Sequence, residues 1–325
     1  MCVLIKDMAQ RLTGRGRVEL VPLVALLLLC FLWSLGSLRA DLLPNATSSA
    51  FPPMAREAIP LGLLAVAAGL FSAIRGAPWP GGRQLGACVL VGIGLFVAPA
   101  ALLGFAATSV PSLERVALLS LCPVFAVVLE PHLGPNDSKR ENKGALVTAF
   151  AAMAGTLCLF PVEVPNSIAA GGGFCAVILA AATIAVSNGY AVRIAHDIRP
   201  KSIATFAAVA GGTAALSLFT ISLITEHAVW NWNGLRSELT WPSAVELPAL
   251  LLLFWLMRRV SAARMTTRFV VSPLLTILIS AALFRPEIEA RGWLGIVLMA
   301  AGSGWMLLGP VEDEETGSSS LDLNR

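Results

Sequence analysis

Charged side chains are scarce in this sequence. Of its 325 residues only 13% are Asp, Glu, Lys or Arg, while 56% are hydrophobic and the mean hydropathy is +0.77. An ordinary soluble domain carries about 25% charged residues. So few charges cannot cover an apolar core with a polar surface. The scarcity therefore excludes a typical soluble globular protein and indicates that long apolar segments face lipid.

Groups that carry chemistry are also sparse. Of the three histidines, His196 and His227 fall between apolar stretches and His132 lies at the very end of one, and the six cysteines form no CxxC pair. There is no Walker A sequence, and the basic residues are too scattered for a nucleic-acid-binding stripe. The sequence therefore predicts no catalytic residue, no cofactor, no metal and no nucleic acid partner. An intramembrane enzyme is kept only as a third alternative.

Ten apolar stretches are long enough, or nearly so, to cross a bilayer. A spanning helix needs about 20 mostly apolar residues, or about 17 when flanking side chains reach the interface. The glycines at 171–173 are interpreted as a flexible turn before the sixth stretch. The ten predicted spans are Leu20 to Leu38, Ala58 to Ile74, Leu85 to Ala107, Leu113 to Leu133, Gly144 to Phe160, Phe174 to Val192, Ile203 to Thr225, Trp241 to Met257, Met265 to Phe284 and Trp293 to Leu308.

The basic residues alternate in density from one loop to the next. With a cytoplasmic N-terminus, 16 Lys and Arg fall in inside segments and 6 in outside segments, and Arg268 lies within a span. This split follows the positive-inside rule. We interpret the first stretch as a retained helix and not as a cleaved signal peptide, because its apolar core is too long. The sequence thus predicts a cytoplasmic N-tail at 1–19 and a disordered cytoplasmic C-tail at 310–325.

A weak internal repeat divides the spans into two sets of five. Pro123 and Pro273 are separated by 150 residues, and so are Val110 and Val260. Because five is odd, the second set enters the membrane from the opposite face, which gives an inverted repeat. The predicted fold is an all-α integral membrane protein of ten transmembrane helices arranged as two inverted five-helix repeats, at 20–161 and 170–309.

Several stretches resemble the drug/metabolite transporter superfamily, in particular its EamA-like members. Residues 111–126 are similar to that family's fourth helix, with a run into Ser-Leu-Cys-Pro-Val. Ser272-Pro273, the acidic turn after Phe284 and the stretch 291–295 are similar to the ninth and tenth helices. The sequence departs from the family pattern at Glu130, where a proline follows instead of a Gly-Glu turn.

The resemblance implies a secondary transporter of a small metabolite, an exporter in our interpretation, working by alternating access around a midplane cavity. A lipid-carrier flippase or a non-transporting scaffold of the same fold is the alternative. The expected partners are an unidentified small-molecule substrate and membrane lipid, with a homodimer as a further option. The expected location is a bacterial inner membrane with both termini cytoplasmic.

The same resemblance implies a cavity lined by helices one to four and six to nine. Polar groups and helix-kinking prolines within those spans are the candidates, because a polar side chain is costly in lipid unless it faces a partner or water. Packing kinks and interhelical hydrogen bonds are the alternative roles. Arg268 and Glu246 are interpreted as lying near helix ends, Arg268 with its charge at the interface. The candidate cavity residues are Trp33, Ser34, Ser120, Pro123, Ser187, Asn188, Tyr190, Glu246, Ser272, Pro273 and Thr276.

Overall fold

The computed structural model describes residues 16–38, 52–133, 143–226, 239–284 and 289–308. All regular structure in these ranges is helical. The predicted disordered C-tail and most of the predicted N-tail lie outside the described residues. The helices are α1 (Gly16–Ser37), α2 (Pro53–Ile74), α3 (Gly82–Ala106), α4 (Ser112–Leu119, then Cys122–Leu133), α5 (Lys143–Leu159), α6 (Ile168–Asp197), α7 (Ile203–Thr225), α8 (Leu239–Leu256), α9 (Ala262–Thr266, then Arg268–Phe284) and α10 (Ala290–Leu308).

Within the described ranges, nine of these helices are long and apolar enough to cross a membrane. The apolar part of α5, Gly144–Leu159, is shorter. Much of the outer surface is apolar: Leu216, Leu90 and Val147 are 70%, 69% and 68% exposed. An exposed apolar surface of this kind is stable in lipid and not in water. The structure thus supports an integral membrane protein.

Some helices begin earlier than the hydropathy predicted. α6 begins at Ile168, so the glycines at 171–173 are helical and the predicted flexible turn is wrong. A Cβ on Gly173 would collide with Ser109 and Val110, so glycine permits a close approach of the chain before α4. Similarly, α9 begins at Ala262, ahead of the predicted Met265. Apolar content alone misses these starts because the first turns contain small or polar residues.

The packing partners repeat after a shift of five helices. α1 packs against α8 and α9, and α6 packs against α3 and α4. The shift likewise turns the contact of α3 with α7 into the contact of α8 with α2. Three further contacts are unchanged by the shift, because each joins a helix to the one five positions later: α2 with α7, α4 with α9 and α5 with α10. Glycines permit the closest of these approaches: a Cβ on Gly302 of α10 would lie 2.6 Å from the backbone nitrogen of Ala152 in α5.

α3 and α8 each contain a π-helical segment directly before an X-Pro pair. The segments are Ile93–Val97 and Pro242–Glu246, and the prolines that follow are Pro99 and Pro248. The residue before each proline donates its N–H five residues back, Ala98 to Ile93 and Leu247 to Pro242. Proline has no amide hydrogen, so a regular α-helical ladder cannot continue through it.

Candidate functional site

Buried hydroxyl groups join α1 to α9. The fully buried Ser34 donates to the carbonyl oxygen of Cys30 at 2.7 Å and lies 3.0 Å from the carbonyl oxygen of Ser272. Ser272 in turn donates to the Cys30 carbonyl at 2.9 Å, and Thr276 donates to the Ser272 carbonyl at 3.0 Å. Three candidate residues from two distant parts of the sequence are thus brought together.

Pro273 lies directly after Ser272 within α9. Because proline lacks an N–H, the carbonyl of Phe269, four residues earlier, has no helical donor. Ser272 is therefore at a point where the α9 backbone ladder is already interrupted, and its side chain bonds to another helix.

Arg268 is the residue that sequence reasoning placed wrongly. It is only 3% exposed, so its guanidinium is enclosed by other side chains and does not extend outward from the helix end as predicted. Its guanidinium carbon lies 4.7 Å from the ring centroid of Trp33 and 4.9 Å from that of Phe269. The physical reason is that α9 begins at Ala262, which puts Arg268 six residues, or about 9 Å, inside the helix. Apart from Arg115 near the start of the fourth span, Arg268 was the one basic residue within a predicted span, and that was the signal for it.

The guanidinium of Arg268 is incompletely satisfied. Neither its Nε nor its Nη1 has a hydrogen-bond partner among the described residues. The thiols of Cys30 in α1 and Cys122 in α4 lie close enough to interact electrostatically with the guanidinium. A positive charge in a membrane span that is stacked on aromatic rings is partly stabilised by them, but rings and thiols supply no negative charge.

The break in α4 borders the same region. Ser120, which is fully buried, donates locally to the carbonyl of Ala117 at 2.6 Å. Cys122 follows the break, and its thiol lies 3.6 Å from the carbonyl oxygen of Ala181 in α6. Pro123 is buried beside it. These residues place α4 between the guanidinium and α6, while the roles predicted for Ser120 and Pro123 remain predictions.

The α6 candidates lie on two faces of their helix. Asn188 is fully buried, and its amide nitrogen donates to the carbonyl of Ile184 at 2.8 Å, whereas its Oδ1 has no partner among the described residues. Ser187 packs against Gly94 in the π-helical segment of α3. Tyr190 is 48% exposed and is separate from this buried pair.

Glu246 ends the π-helical segment of α8 and is half-buried. This segment packs against α1 and α2. The carboxylate is thus carried by the irregular part of the helix, and its place in a substrate cavity stays a prediction.

A pocket of about 220 Å³ lies elsewhere, where α2 and α6 end and α3 and α7 begin. Trp79, Gln84, Asp197 and Arg199 are among its lining residues. Thr205 closes one side by donating to the carbonyl of Pro78 at 3.3 Å. Among the described side chains no cluster of three His, Cys, Asp or Glu could hold a metal ion.

Comparison with known proteins bears on α6 to α10. Residues 171–308 match the model of the EamA-like transporter family, which confirms for these residues the resemblance seen in the sequence. No curated protein matches the chain by sequence. A solved crystal structure of a protein with 19% identity superposes with a TM-score of 0.66, covering 91% of this chain and 99% of its own. At that identity the likeness shows a shared fold alone.

Proposed function

Since residues 171–308 match the model of the EamA-like transporter family, we propose that this chain is a secondary transporter that exports a small metabolite by alternating access. The two inverted five-helix halves enclose a shared site near the bilayer midplane. The match to a transporter family favours this function over an intramembrane enzyme.

The exchange of packing partners after five helices carries the proposal. α1 packs against α8 and α9, and α6, five helices later, packs against α3 and α4, which correspond to α8 and α9. α3 and α8, which are five helices apart, each contain one π-helical segment, and in each the proline lies two residues after that segment, at Pro99 and at Pro248. Two halves with equivalent contacts can exchange conformations around a central site, which is the basis of alternating access.

The contact between α4 and α9 supports a state that is closed at one end. The second segment of α4 packs closely on the first segment of α9, whereas the first segment of α4 makes little contact with the second segment of α9. At the packed end, Glu130 interacts with Ser261, the backbone of Ala263 and Arg264. The five-helix shift interchanges these two ends, so opening one and closing the other reverses the access of the site.

Flux measurements test the proposal. Purified protein in proteoliposomes should accelerate the passage of at least one solute from a panel of labelled small metabolites, and the rate should saturate with solute concentration. Liposomes that contain the heat-denatured protein are the control. Acceleration of lipid flip-flop without solute flux would instead support the flippase alternative. The absence of both activities would support the scaffold alternative.

Topology reporters test the inverted arrangement separately. Reporters fused after Gly134 and after Arg236 must appear on opposite faces of the membrane, with the first in the cytoplasm. The same face for both would contradict the five-plus-five threading.

A further inference from the structure

Arg268 carries a positive charge inside the bundle, and no negatively charged group of the described residues bonds to its Nε or Nη1. It is 3% exposed, and its Nε and Nη1 lack hydrogen-bond partners among the described residues. A buried charge without a partner is strongly unfavourable, and the penalty is relieved when an opposite charge binds to it. The unpaired N–H groups are therefore donors that a ligand acceptor can use.

The surroundings of the guanidinium restrict how a ligand can approach. The rings of Trp33 and Phe269 lie 4.7 Å and 4.9 Å from its central carbon and attract the cation without accepting its N–H groups in line. The nearby carbonyl of Cys30 already accepts from Ser34 and Ser272. Among the described residues no acceptor meets Nε or Nη1, so the acceptor that we infer is a ligand that reaches the guanidinium.

We propose that Arg268 binds the carboxylate of a monoanionic organic solute, with Trp33 and Phe269 against the apolar part of that solute. This inference rests on the transporter proposed above and assigns its substrate class. Planar carboxylates match the fork of N–H donors on arginine.

The charge balance favours a carboxylate over a phosphate. A single guanidinium neutralises one negative charge, whereas a phosphate near pH 7 carries between one and two. A second negative charge in a membrane span would be left without a partner, which is unfavourable. A monocarboxylate leaves the occupied site neutral.

Binding to the purified full-length protein in detergent micelles tests the assignment. The probes are acetate, butyrate, lactate and benzoate, the primary amides of the same four acids, and inorganic phosphate. Tryptophan fluorescence reports binding, and the Trp33→Phe variant shows which part of the signal comes from the ring beside the guanidinium. We expect at least one carboxylate to bind with saturation, about 10-fold or more tighter than its amide, and phosphate to bind no better than the amides.

Variants separate a ligand role from a structural role. Arg268→Gln should weaken carboxylate binding by about 100-fold and leave amide binding unchanged, because only the charged pair is lost. Arg268→Lys keeps the charge but not the planar fork and should give an intermediate loss. The matched control is Arg259→Gln, which removes another arginine stacked on a tryptophan, Trp255 at 4.2 Å, but an exposed one. It should leave binding unchanged. If Arg268→Gln fails to fold, Arg268→Lys carries the test.

Several results would overturn the inference: equal binding of acids and amides, no binding of any acid, carboxylate binding that survives Arg268→Gln, or Arg268-dependent binding of phosphate as tight as that of the acids. Flux in proteoliposomes distinguishes this failure from that of the proposed function. If uncharged solutes cross and carboxylates do not, the transporter stands and the carboxylate site is refuted. If carboxylates bind through Arg268 and no solute crosses, the site stands and the transporter is refuted.

Discussion

The contact between α5 and α10 gives the sharpest stability prediction. A Cβ on Gly302 would lie 2.6 Å from the nitrogen of Ala152, 2.7 Å from the carbonyl oxygen of Thr148 and 2.9 Å from the Cα of Ala152. All three are backbone atoms, so no side-chain rotation relieves the clash. The two helices must move apart. Gly304, two residues later in the same helix, has nothing within 4 Å of its Cβ position and is the matched control.

Both Gly→Ala changes gain the same helix propensity, about 1 kcal/mol, so that gain cancels in the comparison. What remains is the overpacking at Gly302, about 1–3 kcal/mol. We therefore expect the Gly302→Ala protein to be less stable than the Gly304→Ala protein by about that amount. In a thermal scan this corresponds to a melting temperature lower by a few degrees, because 1 kcal/mol shifts Tm by about 2–4 °C in chains of about 150–250 residues.

The assay is thermal unfolding of the purified variants in detergent micelles at one scan rate, followed by intrinsic fluorescence and by the monodisperse fraction in size-exclusion chromatography. A stronger variant, Gly302→Leu, should lower the melting temperature further, whereas Gly304→Leu should not. Equal melting temperatures for the two alanine variants would refute the close contact between the helices and with it the pairing of α5 with α10.

Two further variants test other contacts. Ser34→Ala and Ser272→Ala remove hydroxyls that share the Cys30 carbonyl, so in a double-mutant cycle of unfolding free energy they should couple by about 0.5 kcal/mol or more; strict additivity would contradict the shared hydrogen bonding. Gly92→Ala should destabilise by about 1–3 kcal/mol relative to Gly86→Ala, because its Cβ would lie 3.1 Å from the Cα of Ala210 while Gly86 faces open space; equal stability would contradict the packing of α3 on α7.

Hydropathy was a good guide to where the helices are. Every predicted span contains a helix, because about 20 apolar residues in lipid have no alternative but to satisfy their backbone internally. Helix ends were predicted less well. Small residues at 168–173 and the polar start of α9 contribute little hydropathy, so their helices were predicted too short.

The candidate site could be predicted only in part. Ser34, Ser272 and Thr276 were candidates because hydroxyls in apolar spans need partners. The structure gives them hydrogen-bond partners, while their place in a substrate cavity stays a prediction. Arg268 was missed because its depth depends on the true start of α9, which a few residues decide. Asn188 was found by its polarity, but which of its amide atoms is satisfied depends on the packing of other helices.

The π-helical segments of α3 and α8 affect how the surface of each helix is arranged. A wider turn inserts one extra residue without adding a turn, which changes the angular phase of everything after it by about 100°. The side chains after Val97 therefore face a different neighbour than a continuous α-helix of the same sequence would give them. Deletion of one residue within Ile93–Val97 would remove the wide turn and give a continuous α-helix in which the side chains of the second half of α3 still face α6. Which residues face the centre is thus determined by the register of two short irregular turns as well as by the apolar pattern.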